Sequence, residues 1–373
     1  MIAEKVKYVL FIAGFALIIS GVGVTDAVIN VRQGERPAAA EIFTQAPTRE
    51  NLKSAENEIE RGSRVAEAVR PWAQLVQFIA FRDCGDKGLV GKDEWYFYAP
   101  AVQYLVEPAP EADDVVSAIV DYRDRLAERG IKLLVICAPN KASVYPEMLT
   151  SRADGIDYPV NGHTLDILSR LREAEVEVVD LFAEFGEAKK MQALYLTQDS
   201  HWSSLGAQLA AKKTAERLVE LGWVEKGQSR FKYRPLLLSR VGDILRMMRM
   251  PEQAIQPEGV NCTQVLDVDS GKPYEDDADS DVLVLGDSFL RIYERDEPGS
   301  AGFISHLAYE LAKPVASLVN DGGASTLVRQ GLYGKPALLE GKKVVVWEFV
   351  ERDIRFGTEG WQKVPLPGAD SDD

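Results

Sequence analysis

The sequence predicts an α/β fold with a mostly parallel sheet and helices on both faces. Apolar runs of strand length, rich in β-branched residues, recur along the chain. They alternate with segments of helical apolar spacing, and this order predicts parallel strands joined by helical crossovers. The 373 residues are enough for one large domain or two modest ones. A hydrophobic fraction of 46% and a charged fraction of 27% indicate an ordinary globular protein.

Five apolar runs are the predicted strands of the sheet, over residues 131–138, 176–181, 282–285, 315–319 and 343–349. Segments with helical spacing are predicted over residues 111–129, 164–174, 205–222 and 302–311. Ser203 or Ser204 caps the third of these helices, and Gly222 stops it. Residues 225–264 break the alternation with a basic and apolar stretch in an otherwise acidic chain.

The N-terminal run from Tyr8 to Val24 is uncharged and about long enough to span a membrane as a helix. Lys5 and Lys7 precede it, so the positive-inside rule leaves the N-terminus in the cytoplasm and exports the rest. An uncleaved signal anchor is favoured over a signal peptide cut near Ala27, because the run is long for a signal peptide. In a bacterium, both alternatives place the remaining chain in the periplasm.

The predicted organisation has four parts along the chain. A signal anchor covers residues 1–30, and a membrane-proximal linker with a helix covers 31–75. Pro71 is expected to bend or start that helix. One α/β domain covers residues 76–367, and residues 368–373 form a disordered tail.

Composition and cysteine spacing argue against several classes of function. The net charge of −15 disfavours nucleic-acid binding, which requires a basic surface. No phosphate-binding loop motif is present, and the three cysteines match no metal-site spacing. Cys137 lies inside a predicted strand and is expected to be a buried thiol. Export permits a disulfide between Cys84 and Cys262, and we state that pairing as a hypothesis.

Ser288 follows the predicted strand 282–285 directly, after Gly286 and Asp287. Open α/β sheets place their chemistry outside the carboxyl ends of their strands, which is where this serine would lie. On its own, Gly-Asp-Ser is equally explained by a capped turn. The serine becomes a candidate nucleophile only if a base exists elsewhere in the chain.

His201 is the candidate base among the three histidines. A serine nucleophile requires a neutral imidazole, and the imidazole requires a carboxylate that fixes its tautomer. Asp199 precedes His201 by two positions, so one loop supplies both groups. His163, after Asn-Gly in a turn, is predicted to be a surface residue, and His306 is predicted to be a packing residue.

An oxyanion hole is predicted at the end of another strand. Ser288 offers its own N–H, and the turn Asn320-Asp321-Gly322-Gly323 offers further donors. Glycine permits a close approach of the backbone to an acyl group. The same pair of glycines is also common in ordinary turns.

The chain resembles the circularly permuted branch of the SGNH hydrolase superfamily, the AlgJ/AlgX-type alginate O-acetyltransferases. In most SGNH hydrolases the Asp and His follow the serine, whereas here Asp199 and His201 precede Ser288. The similarity covers roughly residues 85 to 355. It is carried by these segments: VGKDEWYFY, APNKASVYPE, DSHW, VGDILRMM, VLVLGDSF and VVVWEFVER.

The resemblance implies a flavodoxin-like SGNH fold and a periplasmic O-acetyltransferase of the AlgJ type. It implies Ser288 as nucleophile, His201 as base and Asp199 as the group that orients the base. It also implies a polysaccharide acceptor, such as alginate or cellulose, and a multi-pass membrane-bound O-acyltransferase as the partner that delivers acetyl. We expect no metal and no other cofactor.

Two questions stay open from the sequence. The basic segment 232–249, with Arg246 and Arg249, is a candidate surface for the acceptor or the partner; the alternative is a solvated helix face. The activity itself has two rivals. A carbohydrate acetyl esterase would use the same three residues, and a non-catalytic scaffold of a polysaccharide export complex would use none.

Overall fold

The computed structural model describes residues 20–34, 46, 48–108, 112–156 and 160–368, in two compact units. The first unit comprises the described residues up to Asp83 together with Arg249–Ile255, and the second comprises the remaining described residues. Across these described ranges, no helix is long and apolar enough to cross a membrane. Most of the predicted anchor, up to residue 19, and the predicted tail from residue 369 lie outside the described residues.

The first unit is helical. Residues 20–32 are helical, and two further helices follow, α1 (Arg49–Gly62) and α2 (Arg64–Phe81). Thr48 caps α1 and Ser63 caps α2, each through a side-chain oxygen that accepts a hydrogen bond from the first turn. Pro71 lies inside α2 and does not start it. A short 3₁₀ turn covers Glu252–Ala254.

The second unit is built on a five-stranded sheet in which all neighbouring strands are parallel. Its strands are β3 Lys132–Ala138, β4 Glu177–Val179, β7 Val282–Gly286, β8 Ala316–Val319 and β9 Val344–Val350. Their order across the sheet is β4-β3-β9-β7-β8. Each of the five predicted strands is present, because buried parallel strands are continuous apolar runs that a sequence displays directly.

Helices cover both faces of this sheet. Their bounds are α3 Ala99–Val106, α4 Asp113–Glu128, α5 Lys141–Val144, α6 Pro146–Leu149, α7 Gly162–Glu173, α8 Leu181–Ala188, α9 Ser204–Glu220, α10 Asp243–Met247, α11 Ser288–Arg291, α12 Phe303–Leu311, α13 Leu327–Tyr333 and α14 Asp353–Phe356. Short 3₁₀ turns cover Ser151–Ala153 and Pro336–Leu339. Alternate residues of each strand face opposite sides of the sheet. On one side they pack with α9 and α12, and on the other with α4, α7 and α13.

Two antiparallel pairs complete the second unit. The first joins β1 (Gly88–Val90) to β2 (Tyr96–Tyr98), and the second joins β5 (Phe231–Arg240) to β6 (Glu258–Asp267). The interpretation of the basic segment as a solvated helix face is therefore wrong over most of its length. Its residues alternate between half-buried and exposed along β5, and only α10 after it is helical.

The hypothesis of a disulfide between Cys84 and Cys262 is also wrong, because all three cysteines are buried thiols outside any disulfide bond. Cys262 lies on β6 and joins the core beneath α9, whereas Cys84 precedes β1. Cys84 and Cys262 are thus each buried by the residues that pack around a different segment of the chain. Burial raises the pKa of Cys262 to about 11 and the pKa of Cys137 well above its usual value, so both stay protonated.

We expect a thiol reagent to count three thiols per chain in denaturant without reductant. In the native protein the same reagent should react far more slowly, because buried and protonated thiols are poor nucleophiles. Absorbance titration with an aromatic disulfide reagent measures both numbers. A single thiol in denaturant would restore the disulfide.

Candidate active site

Ser288 lies at the carboxyl end of β7, as the first residue of the short helix α11. Its N–H therefore has no acceptor within the helix. Asp287 caps the helix, since its Oδ1 accepts a hydrogen bond from the N–H of Phe289 at 2.8 Å. A Cβ at Gly286 would lie 2.4 Å from Oε2 of Glu348 and 2.5 Å from Cδ1 of Leu290, so any larger residue there would displace these buried side chains. The sheet and the turn together present the serine at the edge where open α/β sheets bind ligands.

His201 and Asp199 lie on a loop whose ends are joined by an antiparallel bridge between Tyr195 and Trp202. Trp202 is fully buried, and its indole N–H donates to the carbonyl oxygen of Phe289 at 3.0 Å. The indole thus connects the loop to the residue that follows Ser288. This contact fixes the distance between two segments that are far apart in the sequence.

Asp199, His201 and Ser288 form a continuous chain of hydrogen bonds. His201 Nδ1 lies 2.7 Å from Asp199 Oδ1, and His201 Nε2 lies 2.8 Å from Ser288 Oγ. Because a carboxylate only accepts, Nδ1 carries the proton and Nε2 is free to accept from the serine hydroxyl. A serine hydroxyl bonded to the basic nitrogen of an oriented imidazole is the arrangement that activates serine as a nucleophile.

Asp199 stays ionised although it is fully buried. Burial alone would raise its pKa, but the hydrogen bond and charge of His201, with the charge of Arg240, lower the pKa below its usual value. For His201, burial opposes the imidazolium, yet the bond to Asp199 and the charges of Asp199 and Asp243 raise its pKa above 6.5. The pair therefore favours a carboxylate next to a basic imidazole.

Asp243 is a site residue that the sequence analysis missed. Its carboxylate accepts from the Ser200 N–H at 2.7 Å and from the Ser200 hydroxyl at 2.5 Å, and one oxygen lies 3.5 Å from His201 Nδ1. Its own N–H donates to Asp199 Oδ2 at 3.1 Å. The segment VGDILRMM, which contains Asp243, carries part of the family resemblance but does not by itself indicate a role for this residue. In the fold, the β5–β6 pair places Asp243 next to the loop.

Gly242 makes that contact sterically possible. A Cβ at this position would lie 2.1 Å from the carbonyl oxygen of Gln198. Only glycine lets the start of α10 approach the backbone of the loop so closely. Arg240, the last residue of β5, approaches Asp199 Oδ2 to 3.5 Å and supplies a positive charge beside that oxygen.

A second group of buried carboxylates comprises Asp287 and Asp353, which line the cavity that contains Ser288, and Glu348, which contacts Asp287. Oε2 of Glu348, within β9, accepts from the Asp287 N–H at 3.2 Å, and Asp353 follows the end of β9. Burial raises the pKa of Asp287 and Glu348, and it raises the pKa of Asp353 to about 7. The positive charge of Arg352 opposes these shifts. Burial thus disfavours the charged forms of these carboxyl groups, whereas the partners of Asp199 favour its charged form.

The predicted oxyanion turn is close to Ser288 but is internally hydrogen bonded. Gly322 N–H donates to Asn320 Oδ1 at 2.8 Å, and Gly323 N–H donates to the Asn320 carbonyl oxygen at 3.1 Å. Both glycines line the cavity that contains Ser288, and Gly323 has a φ of 139°. In this state neither of the two amides is directed at an oxyanion. Arg352 lines the same cavity and provides a positive charge there.

Two open cavities flank the serine and histidine. One of about 270 Å³ is lined by Ser288, Gly322, Gly323, Arg352, Tyr98 and Phe356, among others. The other, of about 590 Å³, is lined by His201, Arg240, Asp243, Arg246, Arg291 and Asp296, among others. The Ser288 hydroxyl thus borders one cavity that is open to a ligand, and the His201 ring borders another.

Of the two arginines proposed as a binding surface, Arg246 lines the cavity next to His201. It is exposed, and within the described ranges it forms no ion pair with a carboxylate. Arg249 is also exposed but belongs to the first unit. The structure thus brings Arg246 to the candidate site and leaves the role of Arg249 a prediction.

The other two histidines lie elsewhere. His306 is fully buried in α12, in accordance with a packing residue, and burial lowers its pKa to about 4. His163 is half-buried with its ring 4.7 Å from the ring of Tyr104, so its description as a surface residue is only partly right. Burial lowers its pKa too.

Asp199, His201 and Asp243 place three possible metal-ligand atoms within 4.8 Å of one another. Each of these side chains is already committed to hydrogen bonds inside the loop, as described above. That pattern fits an oriented imidazole better than a metal centre. The expectation of no metal and no cofactor stays a prediction.

Comparison with known families identifies one domain. The model of the "SGNH hydrolase-like domain, acetyltransferase AlgX" family matches residues 89–351, which is more than half of the chain. This range includes Asp199, His201, Asp243 and Ser288.

Related proteins and structures agree with that match. The chain is 30% identical over 155 residues to probable alginate O-acetylase AlgJ of Pseudomonas aeruginosa, covering 40% of this chain and 37% of that protein. It is 24% identical to the AlgJ of Pseudomonas putida, covering 75% and 73%. The match thus spans only about a third of the first relative. The solved O-acetyltransferase domain of P. putida AlgJ has a similar fold, with a TM-score of 0.58 and 24% identity over 72% of this chain and 91% of that one. AlgX of P. aeruginosa gives a TM-score of 0.55 with 21% identity over 70% and 62%.

The three histidines allow a direct test of the site's electrostatics by NMR. We expect only His201 to titrate above 6.5, and His306 to titrate at about 4. Replacing Asp199 with Asn removes the hydrogen bond and charge that raise the pKa of His201, so burial should then lower it below 6.5.

The raised pKa of His201 also makes the stability of the folded protein depend on pH. A raised pKa stabilises the folded protein while His201 is protonated, and this contribution is lost as pH rises through the folded-state pKa. Nitrogen-15 histidine spectra recorded against pH measure all three values. An Asp199→Asn variant with an unchanged His201 pKa would contradict the assigned cause.

Proposed function

This chain belongs to the SGNH hydrolase-like acetyltransferase AlgX family, and on that premise we propose that it is a serine-dependent polysaccharide O-acetyltransferase. The observation that carries the proposal is the chain of hydrogen bonds from Asp199 through His201 to Ser288. The family indicates that the transferred group is an acetyl group. The geometry indicates Ser288 as the nucleophile and His201 as the base. A non-catalytic scaffold would not require Asp199 to be both ionised and fully buried.

The first half of the reaction acetylates the enzyme. Ser288 Oγ attacks the acetyl carbonyl of the donor while His201 Nε2 takes the hydroxyl proton, and Asp199 stabilises the imidazolium. The tetrahedral intermediate then collapses, and the bond to the donor oxygen breaks. His201 returns its proton to that oxygen, which leaves as an alcohol.

The second half transfers the acetyl group to a sugar. A hydroxyl of the polysaccharide attacks the ester at Ser288 while His201 takes its proton. The bond to Ser288 Oγ breaks, and His201 returns the proton to the serine. Since only neutral His201 accepts a proton, both halves should accelerate as pH rises through a pKa above 6.5.

The oxyanion requires donors that are in place before the charge develops. We propose the Ser288 N–H as the first donor, because it is unused by α11. The Asn320 to Gly323 turn remains the proposed source of the others, and its two amides must exchange their bonds to Asn320 for bonds to the oxyanion. The charge of Arg352 in the same cavity would stabilise the anion further.

The acceptor is proposed from the relatives. Their names specify alginate, so alginate or a similar exopolysaccharide such as cellulose is the acceptor that we propose for this chain. The net charge of −15 is unfavourable for a polyanion, but Arg246 offers a local positive charge in the cavity beside His201. An anionic acceptor would therefore have to approach through that cavity.

The cellular setting is likewise a proposal. An uncleaved N-terminal anchor would hold the domain at the periplasmic face of the inner membrane, and a membrane-bound O-acyltransferase would deliver acetyl there. The order of Asp199, His201 and Ser288 along the chain supports a circularly permuted SGNH arrangement. The proposed domain limits stay residues 76–367, with the linker before them and the tail after them.

Acetyl transfer from p-nitrophenyl acetate to oligosaccharides tests the proposal. We expect the wild type to acetylate mannuronate oligomers, cello-oligosaccharides or both, and Ser288→Ala to lose transfer by about 10⁴-fold or more. Ser317→Ala, in the neighbouring strand β8, is the control and should behave as wild type. Acetylated product is measured by mass spectrometry.

Two results would reject the proposal. Equal transfer by wild type and Ser288→Ala would show that Ser288 is not the nucleophile. Release of acetate at the same rate with and without every acceptor, with no acetylated sugar, would indicate an esterase.

Charge reversal at Arg246 tests the proposed route of the acceptor. We expect Arg246→Glu to raise the KM for a mannuronate oligomer about three- to tenfold, because it removes an attractive charge and adds a repulsive one. The KM for a neutral cello-oligosaccharide should change less. Arg152→Glu, which changes an exposed arginine outside the lining of both cavities, is the control. An unchanged KM for the anionic oligomer in Arg246→Glu would remove this role; Arg249→Glu tests the other arginine in the same way.

A further inference from the structure

Lys141 is a buried cation that the proposed mechanism does not use. It is the first residue of α5, just after β3, and only 3% of it is exposed. Its Nζ donates to three backbone carbonyl oxygens: Tyr96 at 2.6 Å, Thr197 at 2.8 Å and Asp199 at 3.1 Å. Two of these acceptors belong to the loop that carries His201, and one of them is the carbonyl of Asp199 itself.

These contacts use the full hydrogen-bonding capacity of the ammonium group. A lysine has three N–H donors and no acceptor, and here each donor has a separate carbonyl partner. The ammonium also lies 5.0 Å from the ring centre of Trp95 and 5.1 Å from that of Phe97. Burying an ammonium is unfavourable unless it is paired in this way. So many partners around one buried cation indicate that it holds β2 and the loop in fixed positions.

The segment that carries Lys141 is itself fixed by Glu351, at the end of β9. Oε2 of Glu351 accepts from the Asn140 N–H at 2.7 Å and from the Ser143 hydroxyl, and Oε1 accepts from the Thr164 hydroxyl at 2.8 Å. Lys141 thus projects from a rigid turn anchored to the centre of the sheet. Its position does not depend on the loop that it contacts.

The loop is held from two sides by opposite charges. Glu258, the first residue of β6, accepts from the N–H groups of Thr197 and Gln198 at 3.1 and 3.0 Å. Lys141 donates to the carbonyl groups of Thr197 and Asp199. The carboxylate therefore satisfies the donors of the loop and the ammonium satisfies its acceptors. Together they define where the Asp199 backbone, and hence its side chain, can lie.

We propose that Lys141 is a positioning residue that fixes the backbone of Asp199, so that the carboxylate meets His201 Nδ1 at the distance required for general-base catalysis. This inference rests on the proposed function, because it concerns the same three residues. Lys141 does not touch substrate, and its effect is transmitted through Asp199. A misplacement of about 1 Å at such a site costs on the order of 100-fold in rate.

The positioning should depend on pH. Burial lowers the pKa of Lys141 to about 7, opposed by the negative charges of Asp199, Glu258 and Asp243 that face it. Loss of the proton leaves two donors for three carbonyl groups. The rate should therefore depend on two titrations with opposite effects: deprotonation of His201 raises the rate, and deprotonation of Lys141 lowers it.

Lys141→Met tests the inference, with Lys342→Met as the matched control. Lys342 is another buried lysine, 6% exposed, whose Nζ donates to the carbonyl oxygens of Ala278 and Ser280 at 2.6 Å each, outside the catalytic loop. We expect Lys141→Met to lower kcat for p-nitrophenyl acetate about 100-fold with little change in KM. The far-downfield proton signal of His201 Nδ1–H should shift or vanish. Lys342→Met should keep the kcat and the signal, even if both variants unfold at lower temperature.

Retention of the wild-type kcat and of the His201 signal in Lys141→Met would overturn the inference. If that variant does not fold, the wild type provides the second measurement. Carbon-13 labelling of the lysine Cε atoms gives the titration midpoint of Lys141, which should coincide with the alkaline fall in kcat; different midpoints would also overturn it. Wild-type activity in Ser288→Ala, by contrast, would reject the proposed function and not the role of Lys141 in holding the loop.

Discussion

Asp199 is ionised in a position from which water is excluded, and the rest of the site depends on stabilising that charge. Oδ1 accepts from the backbone N–H and the ring of His201, and Oδ2 accepts from the Asp243 N–H with Arg240 nearby. His201 lies on the same loop as Asp199, whereas Asp243 and Arg240 come from a different segment that must approach the loop closely. Gly242 allows one approach and the β5–β6 pair supplies another. The partners that stabilise the Asp199 carboxylate therefore also hold the loop in place.

Ser288 lies between two carboxylate environments of opposite character. Asp199 is held as an anion, whereas burial favours the protonated forms of Asp287, Glu348 and Asp353. The difference matters for acyl transfer, because an anionic cluster beside Ser288 would repel the developing oxyanion. The raised pKa values of these carboxyl groups and the positive charge of Arg352 both reduce that repulsion. Divergent pKa values on the two sides of one nucleophile are typical of sites that carry out acid–base chemistry.

The sheet and the three central residues could be predicted from sequence, because local patterns carry them. Buried parallel strands are continuous apolar runs, and Asp199 and His201 share one short motif. Asp243, Arg240 and Lys141 could not be assigned, since each reaches the loop from a segment at least 38 residues away in the chain. The strand β5 is not apparent from the sequence because its alternation of polar and apolar residues is weak, with Pro235 and three consecutive leucines. The sequence likewise does not show in which direction the N–H groups of Gly322 and Gly323 point.

The covalent intermediate tests the central claim most directly. The wild-type protein would be mixed with p-nitrophenyl acetate, quenched in acid within the first turnover, and mapped by peptide mass spectrometry. The account predicts one acetyl group, on Ser288, that forms at least as fast as turnover and disappears when a sugar acceptor is added. Turnover without any acetylated peptide, or an acetyl group on a different residue that is equally competent, would contradict it.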